Sequence, residues 1–179
     1  MANVPDTILL NVNMDGLPIY KSSKVEFFPI LFNIHELPSV KPMIIGIYCG
    51  QEKLSDLSAF LLPFVKEAKI IFSEGLIVNE TKISVKLRCF VCDSPARAFI
   101  KGVTNFNGKH GCLKCTTVGE HSYVSHTVFF KRSDCEKKTN EGFRSKKYGS
   151  HHKADTPFCF QILIWWKISL SEIFCTLLI

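Results

Sequence analysis

Two aspartates each close a strand-like run of this chain: Thr7-Ile-Leu-Leu-Asn-Val-Asn-Met-Asp15 and Lys82-Ile-Ser-Val-Lys-Leu-Arg-Cys-Phe-Val-Cys-Asp93. A carboxylate just past a buried strand lies at the rim of a sheet. Two such rims side by side can hold a divalent cation, which is the chemistry of metal-assisted phosphodiester cleavage. Taken singly, each aspartate has a plainer reading. Asp15-Gly16 is a common turn pair, and Asp93 stands where a helix cap before Pro95 would stand. A second chemistry-bearing pair is Cys112-x-x-Cys115, within Asn107-Gly-Lys-His-Gly-Cys-Leu-Lys-Cys-Thr116. A glycine-flanked turn of this kind aims two thiolates at one zinc ion and forms half of a structural knuckle.

The missing half of that site has three sources. Cys89 and Cys92 form another Cys-x2-Cys, nineteen residues before the knuckle, a spacing that fits zinc ribbons. They fall inside an extended strand, however, where residues three apart project to opposite faces, so they read as small core side chains. His121-x4-His126 has suitable spacing, as does the adjacent pair His151-His152. An adjacent pair is awkward for two ligands on one ion and leaves one of the two as a bystander. His110 reads as solvent-facing, and Arg97, one turn past Asp93, as a surface residue within reach of a phosphate.

The net charge of +6 is unevenly placed: residues 131–153 hold eight Lys/Arg against three acids. Phe143-Arg144-Ser-Lys-Lys-Tyr148 interleaves aromatics with cations there, a pattern suited to a nucleic-acid backbone, though a solvated lysine-rich loop gives the same composition. At 179 residues and 46% hydrophobic, the chain can bury one ordinary core. The N-terminus lacks a basic stretch followed by an apolar one and reads without a secretory signal. Eight cysteines in an intracellular chain, nuclear or cytoplasmic, read as core thiols and metal ligands rather than disulfides.

The elements that must position these residues follow from periodicity. Residues 7–15 alternate as a first strand. Lys21-Ser-Ser23 begins a turn. A second strand spans Phe27 to Ile34, with Pro29 implying an edge or an irregularity, and a third, buried strand spans Met43 to Cys49. Together they predict an antiparallel meander. Ser55-Asp56 then caps a helix whose apolar positions Leu57, Phe60, Leu61, Phe64, Val65, Ala68 and Ile71 recur at three and four, kinked at Pro63 and closed by Gly75. Asn79-Glu80 turns into a fourth strand, 82–92. A helix from Ser94 to Lys101 follows, with Ser94 as N-cap and Pro95 in its first turn. The expected fold is α/β (α+β), in the order β-β-β-α-β-α, with a right-handed crossover setting the fourth strand beside the first. That is how the ribonuclease-H-like mixed sheet begins.

Four spaced motifs also carry a resemblance: Asn13-Met-Asp15-Gly16-Leu-Pro-Ile-Tyr-Lys-Ser-Ser23, Ile45-Gly-Ile-Tyr48, Cys92-Asp93-Ser-Pro-Ala-Arg97 and Gly111-Cys112-Leu-Lys-Cys115. Over about residues 7–158 the chain resembles a transposase-derived family of insect genomes, related to the transposases of CACTA (EnSpm) DNA elements. The resemblance implies a DDE/D-type core in which two aspartates and a third acid bind two magnesium ions. One ion activates water or a 3′-hydroxyl and the other stabilises the leaving oxygen. Asp15 matches the first acid and Asp93 the second. No third acid is found, since neither Glu141 nor Glu172 stands in the matching context. The family also carries a Cys-x2-Cys followed by histidines within an insertion, which selects Cys112, Cys115, His151 and His152 as the zinc set.

The expected organisation is a partial ribonuclease-H-like core over 1–106, a zinc-knuckle and basic insertion over 107–157, and an aberrant hydrophobic tail over 158–179. The tail approaches membrane-spanning length, yet Lys167 and Glu172 lie in its middle. A truncated or frame-shifted reading frame accounts for it and for the absent acid. The expected function is a transposase-derived DNA-binding domain without turnover. It contacts DNA through 131–153 and takes no small-molecule substrate. The rivals are a zinc-dependent nucleic-acid or protein adaptor and a small tail-anchored membrane protein.

Overall fold

The computed structural model describes residues 5–18, 25–52, 54–132, 134–157 and 174–175. Its contacts divide the chain into two compact units, one within Met1–Cys92 and Ile173–Ile179, the other within Asp93–Glu172. The expected turn at 21–23 and nearly all of the tail lie outside the described residues. Among the described residues, no helix is long and apolar enough to cross a membrane.

The first unit is a mixed sheet with one helix. Its elements are β1 (Thr7–Met14), β2 (Leu17–Pro18), β3 (Glu26–Ile34), β4 (Met43–Gly50), α1 (Leu57–Glu74), β5 (Leu76–Val78), β6 (Thr81–Val91) and, from the tail, β9 (Phe174–Cys175). The order β2-β3-β1-β6-β5 forms the spine of a seven-stranded sheet, with β4 paired to β3 and β9 to β6. β1–β3 and β3–β4 run antiparallel, whereas β1–β6 and β6–β9 run parallel. The meander, the crossover helix and the adjacency of first and fourth expected strands are therefore present, and three short strands, β2, β5 and β9, are added. One is β5, which turns back into β6 through Asn79 and Glu80. Both hold positive φ, at 49° and 64°, as a tight two-residue hairpin demands.

The sequence explains most of these pairings. Val12 and Met14 are buried on one face of β1, while Asn11 and Asn13 point from the other. α1 is capped by Asp56, whose Oδ1 accepts the Ala59 N–H at 2.8 Å, and it buries Leu57, Leu61, Phe64, Val65 and Ala68. It continues through Pro63 to Glu74. Fully buried side chains such as Leu61 and Phe90 each stabilise the unit by about 1.5–3 kcal/mol.

One expectation about this sheet needs correction, and one open alternative is decided. The third strand is not buried: β4 has one sheet neighbour, and its Ile44 and Ile47 are 63% and 43% exposed. An apolar run alone cannot tell a buried strand from an edge one. Pro29 marks an irregularity rather than an edge. It sits in β3 between the stretches that pair with β2 and with β1, where no pairing on that side requires its missing N–H.

The second unit has little regular structure: α2 (Ser94–Ile100), the hairpin β7 (Glu120–Ser122) and β8 (Thr127–Phe129), α3 (Asn140–Arg144) and one 3-10 turn, Gly149–His151. The cap of α2 is Asp93 rather than Ser94, because the Asp93 Oδ1 accepts the Ala96 N–H at 2.7 Å. Gly102 ends this helix at φ +61°, a left-handed closing residue, with the Val103 N–H reaching the Ala98 carbonyl. The small core holds Ala98, Val103 and Phe143, with Leu113 and Tyr148 packed against it.

Candidate functional site

Strand register decides the relation between the two aspartate positions. From Thr7 to Leu10, β1 is paired with Ser84 to Leu87 of β6. The register then shifts, so that Asn11, Val12 and Asn13 oppose Cys89, Phe90 and Val91. The extra residue is Arg88. A bulge of this kind flips the alternation of the strand that carries it. Before it, Ile83, Val85 and Leu87 are buried; after it, Phe90 and Cys92 are each 1% exposed, with Cys89 buried less completely at 7%. Cys89 and Val91 consequently share the sheet face of Asn11 and Asn13. There the Cys89 Sγ and Arg88 Nη1 contact the Asn11 Oδ1 at 3.2 and 3.0 Å, and the Asn13 Nδ2 donates to the Val91 carbonyl at 3.0 Å. Asp15 and Asp93 each lie beyond the end of the strand that precedes them, at Met14 and Val91.

Sequence reasoning missed this polar strip of Asn11, Asn13 and Arg88. Its signal was there to read, since Asn11, Asn13 and Asp15 alternate with buried Val12 and Met14. Asp15 is partly buried, and the Asp93 carboxylate is engaged as the cap of α2. Cys89 and Cys92 are both buried, as core thiols should be.

In the second unit, the Sγ atoms of Cys112 and Cys115 lie 3.5 Å apart. Gly111 permits the turn: a Cβ there would stand 2.1 Å from the Asn105 carbonyl oxygen. Burial raises the pKa of the Cys112 thiol. The amide N–H groups of Cys115 and Lys114, the Cys115 thiol and the charge of Lys138 outweigh it and bring the thiol below its ordinary range. Cys115 receives the Thr117 N–H, which favours its thiolate, yet burial and the neighbouring sulfurs of Cys112 and Cys135 push its thiol up. Amide N–H groups converging on paired sulfurs are what a metal-binding knuckle needs, because they stabilise the charge a thiolate brings.

His151 and His152 are fixed by backbone pairing. The Thr104 N–H donates to the His151 carbonyl at 2.8 Å, and Val103 bridges His152. His151 is 2% exposed, and its Nδ1 lies 2.7 Å from the His110 carbonyl oxygen. A carbonyl can only accept, so Nδ1 carries the proton and Nε2 keeps its lone pair. Burial is the main cause that lowers the His151 pKa to about 4, with the charges of Lys138, His152 and Lys101 adding to it against the His110 bond. The His152 Nε2 is buried with no hydrogen-bond partner, and its ring stacks on Tyr148 at 6.3 Å. A ring N–H tied to a carbonyl and a buried unpartnered nitrogen are features of zinc-ligating histidines. Sulfur and imidazole nitrogen are donor types that zinc takes. Among the described residues, no three His, Cys, Asp or Glu side chains converge closely enough to hold an ion as they stand. His121 and His126 belong to the exposed β7–β8 hairpin, where His121 packs on Tyr123.

The basic segment differs from the expected stacking surface in one respect. Phe143 is 6% exposed and is core; Tyr148 is partly buried, and its hydroxyl accepts the Thr139 N–H at 2.7 Å. Both aromatics hold the segment together rather than present rings to a ligand. The cations behave as expected of a charged surface: Lys131, Arg132, Lys146 and Lys147 are exposed, in ion pairs with Glu120, Asp134, Asp155 and Glu136. Arg97 is partly buried and reaches the Ser94 Oγ at 3.4 Å.

No protein-family model matches this chain, and no curated protein matches it.

Proposed function

We propose that this chain is a transposase-derived nucleic-acid-binding domain in which a ribonuclease-H-like half-sheet carries the remnant of a metal-binding aspartate pair. The observation that carries the reading is the bulge at Arg88. It sets Asn13 opposite Val91, so that the strands leading to Asp15 and Asp93 run parallel as neighbours. Parallel neighbouring strands each followed by an acid are a setting in which magnesium binds between carboxylates. With Asp15 and Asp93 alone, lacking a third acid, the chain binds DNA without cutting it.

The same proposal gives the basic segment 131–153 the DNA contact. That stretch holds eight Lys/Arg against three acids, whereas residues 1–92 are balanced. A zinc ion held by Cys112, Cys115 and one or both of His151 and His152 would brace the basic segment, supplying cross-linking rather than catalysis. Phosphate contacts of this kind bind without sequence preference and weaken steeply with salt.

Two measurements test the proposal. Purified chain with magnesium and supercoiled plasmid should leave the plasmid intact, and nicking that disappears in Asp15→Ala would overturn the absence of turnover. Binding to a labelled duplex should weaken at least tenfold between 50 and 200 mM salt; salt-independent or absent binding removes the DNA reading. The second reading, a zinc-dependent adaptor, is favoured by the Asp93 carboxylate serving as a helix cap. Tightly held zinc together with no effect of magnesium on stability would select it.

A further inference from the structure

β4 has the properties that sheets usually avoid at an edge. Among the described residues it pairs with β3 alone, so its far side carries N–H and C=O groups that the sheet leaves unpaired. Its eight residues, Met43-Ile-Ile-Gly-Ile-Tyr-Cys-Gly50, include no charge and no proline to blunt that edge. A bulge sorts their side chains. Ile30 of β3 opposes Gly46 and Leu31 opposes Ile44, which leaves Ile45 as the extra residue. Ladder partners share a face of the sheet. Met43, Gly46 and Tyr48 therefore lie with Phe32, Ile30 and Phe28, on the face where the Phe28 and Tyr48 rings meet Phe60 of α1. Ile44, Ile47 and Cys49 lie together on the opposite face, and all three are exposed. Exposed charges flank the strand, Lys41 before it and Glu52 after it, and among the described residues neither joins an ion pair.

We propose that β4 is a self-association strand, on which two copies of this chain join edge to edge and antiparallel, about a two-fold axis at Ile47. In that register Ile47 meets its own counterpart, Gly46 opposes Tyr48, Ile44 opposes Cys49 past the bulged Ile45, and Met43 opposes Gly50. Every pair then unites residues of the same face, so the bulge that fits β4 to β3 also fits β4 to itself. Two residues further along, Lys41 of each copy stands opposite Glu52 of the other, which closes an ion pair at both ends. Parallel pairing would instead set Lys41 against Lys41 and Glu52 against Glu52, and like charges directly opposite are unfavourable. The flanking charges thus select a second copy in antiparallel order as the occupant of this edge. Both copies use the same patch, so association closes at the dimer. The edge at the other end of the sheet, β5, is three residues long and offers too short a ladder to compete.

The test is sedimentation of the full reduced chain over a concentration series. The mass should rise from the 20.3 kDa of one chain to twice that value. Ile47→Lys changes an exposed side chain and sets two ammonium groups face to face on the axis, so it should weaken the dimer about tenfold or more. Ile77→Lys, on β5, should leave the dimer as it was. Lys41→Glu should weaken it severalfold, and adding Glu52→Lys to that variant should restore it. A monomer at every concentration overturns the proposal, as do assemblies that grow beyond two chains or an Ile47→Lys dimer as tight as wild type. A charge swap that fails to restore the dimer overturns the antiparallel register. Should a variant not fold, wild type still decides: amide exchange over Met43–Gly50 should slow as chain concentration rises, with β5 unaffected. Exchange that ignores concentration sinks the proposal.

Discussion

The two units are stabilised in different ways. The first spends an 18-residue helix and an 11-residue strand on burying Leu61, Phe90 and their neighbours, and it carries no net charge. The second carries the whole net charge on turns and short helices around a small buried cluster of Ala98, Val103 and Phe143, with Ala96 and Ile100 also buried. A sheet-and-helix unit closes its backbone hydrogen bonds internally and needs no help. A loop-rich unit of this size is short of apolar burial, and such units depend on cross-links or metal. The difference teaches that the chemistry-bearing thiols and histidines lie in the unit that most needs a staple.

The sharpest way to break this comparison is to remove metal. Amide exchange across residues 101–157 should slow at least a hundredfold when zinc replaces a chelator, and Cys112→Ser should abolish the gain while exchange in β1 and β6 stays as before. Equal protection with and without zinc would show that the second unit packs unaided. Next in size is Phe90→Ala. It should destabilise the first unit by about 3–5 kcal/mol in denaturant unfolding, with zinc binding unchanged.

A third, smaller effect depends on pH. The His151 pKa is lowered to about 4 by burial, against an ordinary value of 6.5. Unfolded chain therefore takes up a proton near pH 6.5 that folded chain refuses until about pH 4. In the metal-free chain, stability should be level above pH 6.5, fall as pH drops through that window by on the order of 2 kcal/mol, and level off below it. His151→Gln should remove most of that slope in urea unfolding series; a slope untouched by the substitution would place its origin elsewhere. Smallest is Asp93→Ala, which removes the cap of α2 and should cost about 1 kcal/mol, measured by thermal melting. An undiminished melting temperature would show the carboxylate to be no support for the helix.

The first unit was largely legible in sequence, because period-two and period-3.6 patterns report which face of an element is buried. The same patterns misjudged β4, since an apolar run is equally consistent with an edge strand whose isoleucines face solvent. Asp93 was recognised as a cap-region residue, yet the cap itself was assigned one position late, to Ser94. Phe143 and Tyr148 looked like a stacking surface and are packing residues, a distinction that composition cannot draw. In the second unit, Cys112-x-x-Cys115 was visible from spacing, while the half-buried position of Lys138 was not.

Sequence by itself determined the order of strands and helices, the site of the knuckle and the concentration of charge beyond residue 93, because these depend on local periodicity, local turn chemistry and counting. Tertiary structure alone decided the bulge at Arg88 that resets the phase of β6, and the docking of Lys138 on the Cys112 carbonyl and the Tyr148 ring. Both arise from pairing between segments distant along the chain, and residue order constrains such pairing only once the chain has folded.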